Sequence, residues 1–319
     1  MLLMVAAAIG GCLGPGGAGS GVGASGSRPS GSPSPRHAPT PRAAASRSAG
    51  SHARASSSSG AGRAAASAAA RITFLDVGQG DAELLRVGRW TGLIDGGPPS
   101  AAGRLVADLR ARHVRRIDEL IVSHPHADHI GGLPAVVDAF PVRRAVLDEA
   151  YDSAAYRSLR AELRTHHVPV VHWWRGAREP LGSARALVLD PAPRPPDHDP
   201  NHDSIVLLVT VAGRRVLFTG DMGGLPEDDL AAAYHGPAVT VLKVGHHGSA
   251  TATGEALLAA FRPRWAVIEV GPNPYGHPSP ATMARLRARH VRVFTTWRAG
   301  DVTLTISRSG ALRWRRTGG

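Results

Sequence analysis

Between positions 124 and 129 the chain reads His-Pro-His-Ala-Asp-His, so four groups able to ligate a metal fall within six residues. The segment follows an apolar run ending at Val122 and precedes Gly131 and Gly132. Two residues apart in extended chain, His124 and His126 would point the same way. Asp128 and His129, turned by the start of a helix, would face a second position a few ångströms off. This spacing suits two metal ions rather than one. Imidazole and carboxylate donors suit zinc first, with manganese or iron as alternatives. The single cysteine, Cys12, lies far away in sequence and leaves His, Asp and Glu as the available ligands.

Further acids and histidines recur where other apolar runs end. Asp95 closes "LIDGG", Asp221 closes "LFTGD", and His246 with His247 closes "LKVGHHGS". One aspartate in such a place is as readily a turn-former or a helix cap. Their recurrence at strand ends is what a site on one edge of a sheet sandwich would collect. A water held between two cations would lose its proton near neutral pH and attack phosphorus or a carbonyl carbon. In "DVGQGD", residues 76–81, the glycines permit a close turn by the cleft, where Asp76, Gln79 and Asp81 would orient ligands or a leaving group. Lys243, the sole lysine, would either contact a phosphate or salt-bridge a nearby acid.

The elements that must position these residues are short apolar runs alternating with alanine- and arginine-rich stretches of helical spacing. "RITFLDVG", "AELLRVG" and "WTGLIDGG" read as three successive strands, the first two joined by the tight "GQGD" turn. "AAGRLVADLRARHV" and "LPAVVDAF" read as helices flanking the strand "IDELIVSH". Later strands are "RAVLD", "RALVLDP", "SIVLLVTVAG", "RRVLFTGD", "VTVLKVG" and "RWAVIEVG". "PEDDLAAAYH", "GEALLAAF" and "SPATMARLRARH" read as helices, and "VRVFTTWRAGDVTLTISRSGALRW" closes the chain as strands and turns. The pattern predicts an α/β fold, an αβ/βα sandwich of two face-to-face sheets with helices outside.

That fold is expected over residues 71–319. The first 70 residues carry six arginines and no acid, so half of the net charge of +12 lies outside it. The remaining excess does not by itself mark a nucleic-acid binder. Residues 1–19, with "MLLMVAAAIGGC", resemble the end of a lipoprotein signal in which Cys12 is lipidated, although no basic residue precedes the apolar stretch. Residues 20–70 are low-complexity Gly, Ser, Ala, Pro and Arg, too poor in apolar surface to fold, and read as a flexible tether. The expectation is an exported, extracellular domain tethered to a membrane.

The order Asp, His-x-His-x-Asp-His, Gly-Asp, His over residues 71 to about 300 resembles the metallo-β-lactamase fold superfamily. The blocks "FLDVGQGDAELL", "LIDGG", "SHPHADHIGGL", "NHDSIVLLV", "RVLFTGDM", "LKVGHHGSATAT" and "YGHPSP" are similar, in order and wording, to the hydrolase-like domain of ComEC-type DNA-internalisation competence proteins. The resemblance implies a four-layer sandwich carrying two divalent ions, Zn²⁺ or Mn²⁺. It also implies a phosphodiesterase or nuclease acting on DNA beside a membrane-bound competence partner. Carried over, His124 and His126 would hold the first metal, Asp128 and His129 the second, and Asp221 would bridge them. His246 or His247 would complete the second site, His277 would line the cleft, and Asp95 would accept an imidazole N–H and fix its tautomer. The superfamily takes a third histidine for the first metal from the stretch before Gly-Asp. Here that stretch offers Asn201, His202 and Ser204, with His172 and His198 more distant. The same scaffold also hosts phosphocholine-ester and lactone hydrolases, and a non-catalytic DNA-binding module is a further alternative.

Overall fold

A computed structural model describes residues 68–147, 151–192 and 199–318. The segment expected as a lipidated signal, most of the expected tether, and His198 lie outside the described residues. Strands β1 (Ala68–Phe74), β2 (Glu83–Val87) and β3 (Trp90–Ile94) form an antiparallel meander. Between the first two, Leu75 N donates to Ala82 O at 2.9 Å across the "GQGD" turn. Strand β1 starts within the stretch expected as tether, because Ala68 and Ala70 pair with Ser307 and Ile306 of β14 (Val302–Ser307). Parallel strands β4 (Glu119–Ile121), β5 (Ala145–Val146) and β6 (Val170–Val171) extend this sheet on one side. On the other side β14 and β15 (Leu312–Arg316) close it.

The second sheet runs β13-β12-β11-β10-β9-β8-β7. Its antiparallel part is β7 (Arg178–Leu181), β8 (Ala184–Asp190), β9 (Val206–Val211) and β10 (Arg214–Phe218); β11 (Val241–Lys243), β12 (Trp265–Ile268) and β13 (Arg292–Thr295) continue it in parallel. Side chains of both sheets interlock between them: Ile72, Phe74 and Leu85 share a buried cluster with Leu207, Phe218 and Val241. The Phe74 and Phe218 rings lie 6.2 Å apart. Each such side chain contributes roughly 1.5–3 kcal/mol by leaving water.

Helices cover both outer faces. Against the first sheet lie α1 (Ala102–Ala111), α2 (Ala127–Ile130), α3 (Leu133–Ala139) and α4 (Ala154–Thr165), through Leu105, Leu109, Val136 and Leu159. Against the second lie α5 (Gly224–Ala233), α6 (Glu255–Phe261) and α7 (Pro280–Ala288), through Leu230, Leu258, Phe261 and Leu286. The architecture is the expected four-layer αβ/βα sandwich. Helix α4 and the short strands β6 and β7 are absent from the sequence expectation. The signal for α4 was nonetheless there: Ser153 caps it, accepting from Tyr156 N at 3.1 Å, and Tyr156, Leu159 and Leu163 share its buried face.

Because β3 and β4 are parallel, and β10, β11 and β12 are parallel, the C-terminal ends of the central strands in each sheet share an edge. Such an edge is where an open α/β sheet gathers its functional loops. Strands β4 and β11 are buried along their whole length, which makes the one charged residue in each an anomaly: Glu119, paired with Arg144 at 2.8 Å, and Lys243.

Candidate metal centre

The ligand-rich loop leaves β4 at Ser123 and enters α2 at Ala127. Asp95, just past β3, ties it down: its carboxylate accepts from Ser123 N at 2.8 Å and also from Ser123 Oγ. With its own proton committed to Asp95, Ser123 Oγ accepts from His124 Nδ1 at 3.0 Å. The His124 ring is thereby fixed with Nε2 turned inward, 3.0 Å from His126 Nδ1. Burial, reinforced by the neighbouring His129, holds the His124 imidazole well below its ordinary pKa and keeps it neutral. A neutral imidazole is the form that binds a metal.

The "GQGD" turn closes over this loop from β1. Gly80 has φ +141°, and a side chain there would place a Cβ 2.2 Å from the Asp128 carbonyl oxygen, so only glycine fits. In the same contact Asp81 N donates to Asp128 O at 3.3 Å.

From the second sheet come Asp221, after β10, and the turn Gly245–Gly248, after β11. Asp221 N donates to Ser204 Oγ at 3.1 Å, and Ser204 Oγ donates to Asn201 O at 2.8 Å. The "NHDS" block therefore buttresses the Asp221 backbone, and Ile205 N donates to Ser123 O at 2.8 Å to link it to the ligand loop. His246 and His247 both have left-handed backbone, at φ 48° and 51°, as does Asp95 at 52°. Non-glycine residues held this way concentrate where geometry serves function.

The two halves converge on Asp221. Its Oδ1 lies 3.3 Å from His129 Nε2, and its Oδ2 lies 3.5 Å from His247 Nε2, 3.8 Å from His124 Nε2 and 3.8 Å from His246 Nε2. His247 Nε2 is also 3.3 Å from Asp128 Oδ2. Each of the two innermost rings spends its Nδ1 proton behind itself. His129 Nδ1 donates to Asp95 Oδ2 at 2.8 Å, and His247 Nδ1 to Glu269 O at 3.0 Å. Their Nε2 atoms and Asp221 Oδ1 are buried without a hydrogen-bond partner among the described residues. Lone pairs facing a carboxylate need a cation between them, either a proton or a metal. With protons, the acids raise both imidazoles despite burial: His129 goes well above its ordinary value, under Asp221, Asp81 and Asp95, and His247 to about 10, under Asp221 and Asp81. Burial works against the Asp221 carboxyl, yet His129 and His247 hold it well below the carboxylate range.

These residues fit a divalent-ion centre. His129, His247, Asp128 and Asp221 could hold one ion, and His124 and His126 with Asp221 a second. A bound ion would displace the protons that now compensate the acids.

The other expected site residues stand around this convergence or away from it. Lys243 does not line the cleft. It is fully buried, its ammonium paired with Asp81 and donating to Gly220 O at 2.9 Å. Of the two roles open to it, the structure takes the ion pair. Asp81 faces the Nδ1 side of His129 and His247, at 3.7 and 3.2 Å, behind the rings rather than between them. Asp76 takes no part in the convergence on Asp221. Its N donates to Asp301 Oδ1 at 2.8 Å, and its carbonyl accepts from Arg104. Gln79 Oε1 accepts from Gly271 N at 3.5 Å. His202 Nε2 is 3.8 Å from Asp199, and His172 Nδ1 donates to Leu147 O at 2.7 Å. His277 lies with its ring 5.7 Å from that of His246.

The sequence reading missed Ser123 and the buried acids Glu83 and Glu269. With Asp81 they form an acidic layer whose oxygens lie within 4.8 Å of one another. Burial first, and then Asp81, raises Glu83 to about 8, while burial and Glu83 raise Glu269 well above its ordinary value. The signal was a glutamate closing the apolar run "WAVIEVG", where burying a charge is costly unless it is paired or protonated.

The metallo-beta-lactamase superfamily profile matches residues 75–268. Competence protein ComA of Neisseria gonorrhoeae is 33% identical over 247 residues, which are 76% of this chain and 33% of that protein. ComE operon protein 3 of Bacillus subtilis (strain 168) is 28% identical over 252 residues, covering 72% of this chain and 32% of the relative. The chain thus spans about a third of the length of these curated relatives. Among solved structures, CmlA, a diiron β-hydroxylase from Streptomyces venezuelae, superposes with a TM-score of 0.51 at 16% identity, over 74% of this chain and 54% of that one. That likeness is one of fold.

Proposed function

The chain belongs to the metallo-β-lactamase superfamily, with ComEC-type competence proteins as relatives, and we propose that it is a metal-dependent phosphodiesterase acting on DNA. The observation that carries this reading is the buried convergence of His129 Nε2, His247 Nε2 and Asp221 Oδ1, aimed at one another without hydrogen-bond partners among the described residues. When bound, divalent ions there supply an acidified water and neutralise charge developing on phosphate oxygens.

The chain's own groups do the rest. Asp221 turns one carboxylate oxygen to His129 and the other to His124, His246 and His247, and so registers the two halves of the centre. His247 Nε2 lies 3.3 Å from Asp128 Oδ2 and so would complete the second site, which leaves His246 Nε2, 3.8 Å from the Asp221 oxygen that His124 also faces, as the third imidazole of the first in place of His202. Asp128, half-exposed at the mouth, orients the attacking water, while Asp95 and Ser123 hold the histidine rings in register. The DNA substrate and a membrane-bound partner come from the resemblance to ComEC-type competence proteins, and export with tethering through Cys12 from the N-terminal sequence.

The test is equilibrium dialysis of the full chain with Mn²⁺ or Zn²⁺, paired with turnover of bis-p-nitrophenyl phosphate and of labelled DNA. Two equivalents bound, with turnover only when the ion is present, is the expected result. Silence on every phosphodiester with each divalent ion overturns the reading.

A further inference from the structure

We infer that a cleft beside the metal centre, lined by Arg287, Arg298, Arg316 and Trp297, binds a single strand of nucleic acid. It is a cavity of about 740 Å³ between α7, β13, α8 (Thr296–Ala299) and the end of β15. The inference rests on the phosphodiesterase reading for what the strand is to the centre, but its geometry stands apart from the metal ligands.

Three observations carry it. First, the lining contains three arginines and a histidine and no aspartate or glutamate. Second, these arginines are uncommitted: the guanidinium groups of Arg287, Arg298 and Arg316 make no ion pair or hydrogen bond with any described residue. The arginines on either side of Arg287, in α7 and just past its end, differ. Arg285 donates to the carbonyls of Ala250, Ala252 and Thr253, and Arg289 pairs with Glu255 at 2.8 Å. Arg287 thus stands unpaired between two arginines with structural duties. Third, large aromatic rings stand in solvent around the cleft, Trp297 at 54% and Tyr275 at 70% exposure. The Tyr275 ring lies 5.7 Å from His277, which lines the cleft, and His277 lies 5.7 Å from His246. A row of rings therefore leads from the cleft to the metal centre.

Unpaired guanidinium groups in an acid-free cavity call for a polyanion, and guanidinium forks suit phosphate oxygens. Exposed aromatic rings interleaved with that charge call for bases, which stack on any π face regardless of sequence. Cavities of roughly 300–1,000 Å³ hold ligands of drug-like size. The cleft therefore admits a few unpaired nucleotides and no duplex.

The test uses the full chain stripped of metal with EDTA, a fluorescent thymidine oligonucleotide, and anisotropy across a salt series. All variants keep residues 1–67, so differences read the folded domain. The triple variant Arg287→Ala, Arg298→Ala, Arg316→Ala is expected to lose at least tenfold in affinity and about 2 from the slope of log affinity against log salt. Trp297→Ala is expected to lose roughly fivefold or more with the slope unchanged. Arg308→Ala, in the turn after β14, serves as the control and leaves binding as it was. Ultraviolet crosslinks are expected on peptides holding Tyr275 or Trp297. Unchanged affinity and slope in the triple variant, crosslinks confined to other peptides, equal binding of duplex through these arginines, or loss only of binding to phosphatidylglycerol vesicles each overturns the inference. A chain that hydrolyses bis-p-nitrophenyl phosphate but binds no strand here keeps the proposed activity and loses the cleft. Binding here without hydrolysis does the reverse.

Discussion

The candidate metal centre has an inner pole and an outer rim, and they are built differently. At the inner pole His129, His247 and Asp221 are buried, and each ring is locked from behind, His129 by Asp95 and His247 by the Glu269 carbonyl. Beneath them Asp81 and Lys243 form a fully buried ion pair. At the rim His126, Asp128, His246 and His277 are half-exposed. The inner pole is preorganised by its supports, so its geometry precedes the ion. The rim lacks such supports and would rely on a bound ion and on solvent-facing contacts to fix it, which would suit groups that admit water and substrate.

The sharpest way to break this contrast is Asp221→Ala, which removes the junction between pole and rim. Both ions should be lost, and turnover should fall about 10³-fold or more, about 4 kcal/mol of transition-state stabilisation. Elemental analysis that still finds two ions would end the junction role. Next comes Lys243→Met. It leaves Asp81 buried without its ammonium, and removing one partner of such a pair costs about 3–5 kcal/mol. Thermal unfolding should show this as a drop in Tm of order 10 °C, whereas His126→Ala at the rim should barely move it. A smaller effect is expected of Asp95→Asn, which keeps shape but weakens the acceptor behind His129. Affinity for one ion should fall about 10–100-fold, and His126→Ala should weaken the other, so titration calorimetry of the two variants separates the sites.

The smallest effect concerns Glu227. It accepts from the backbone N–H groups of Thr253 and Gly254, each at 2.6 Å, and Thr253 Oγ1 in turn accepts from Gly245 N at the start of the histidine turn. Burial raises its carboxyl to about 7. A folded-state value above the unfolded one means that stability from this group is complete below pH ~4.5 and is lost as pH rises through about 7. The loss is on the order of 1 kcal/mol between pH 6 and 7. Denaturant titrations should show that part of the slope flattened in Glu227→Gln.

Much of the fold was legible because local pattern and burial agree. The three opening strands, the helix after Gly132 and the run from β8 to β12 carry periodicities that packing then honours. Helix α4 carried its signal in Ser153, Tyr156, Leu159 and Leu163. In the site, type and spacing could nominate His124, His126, Asp128 and His129, since they lie within six residues. They could not rank His246 against His247, because adjacent residues leave a left-handed turn in directions that depend on what packs against it.

What the sequence determined by itself was the donor inventory and the strand ends that carry it, because both are properties of short stretches. Tertiary structure alone decided the pairings: Lys243 with Asp81 rather than with a ligand, Ser204 under Asp221 rather than facing an ion, and Glu83 of β2 against Glu269, just past β12 of the other sheet. The reason is electrostatic. Whether a buried charge is a ligand, a counter-ion or a shared proton depends on which opposite charge lies within a few ångströms, and residues far apart in the chain acquire that distance only when two sheets close on each other.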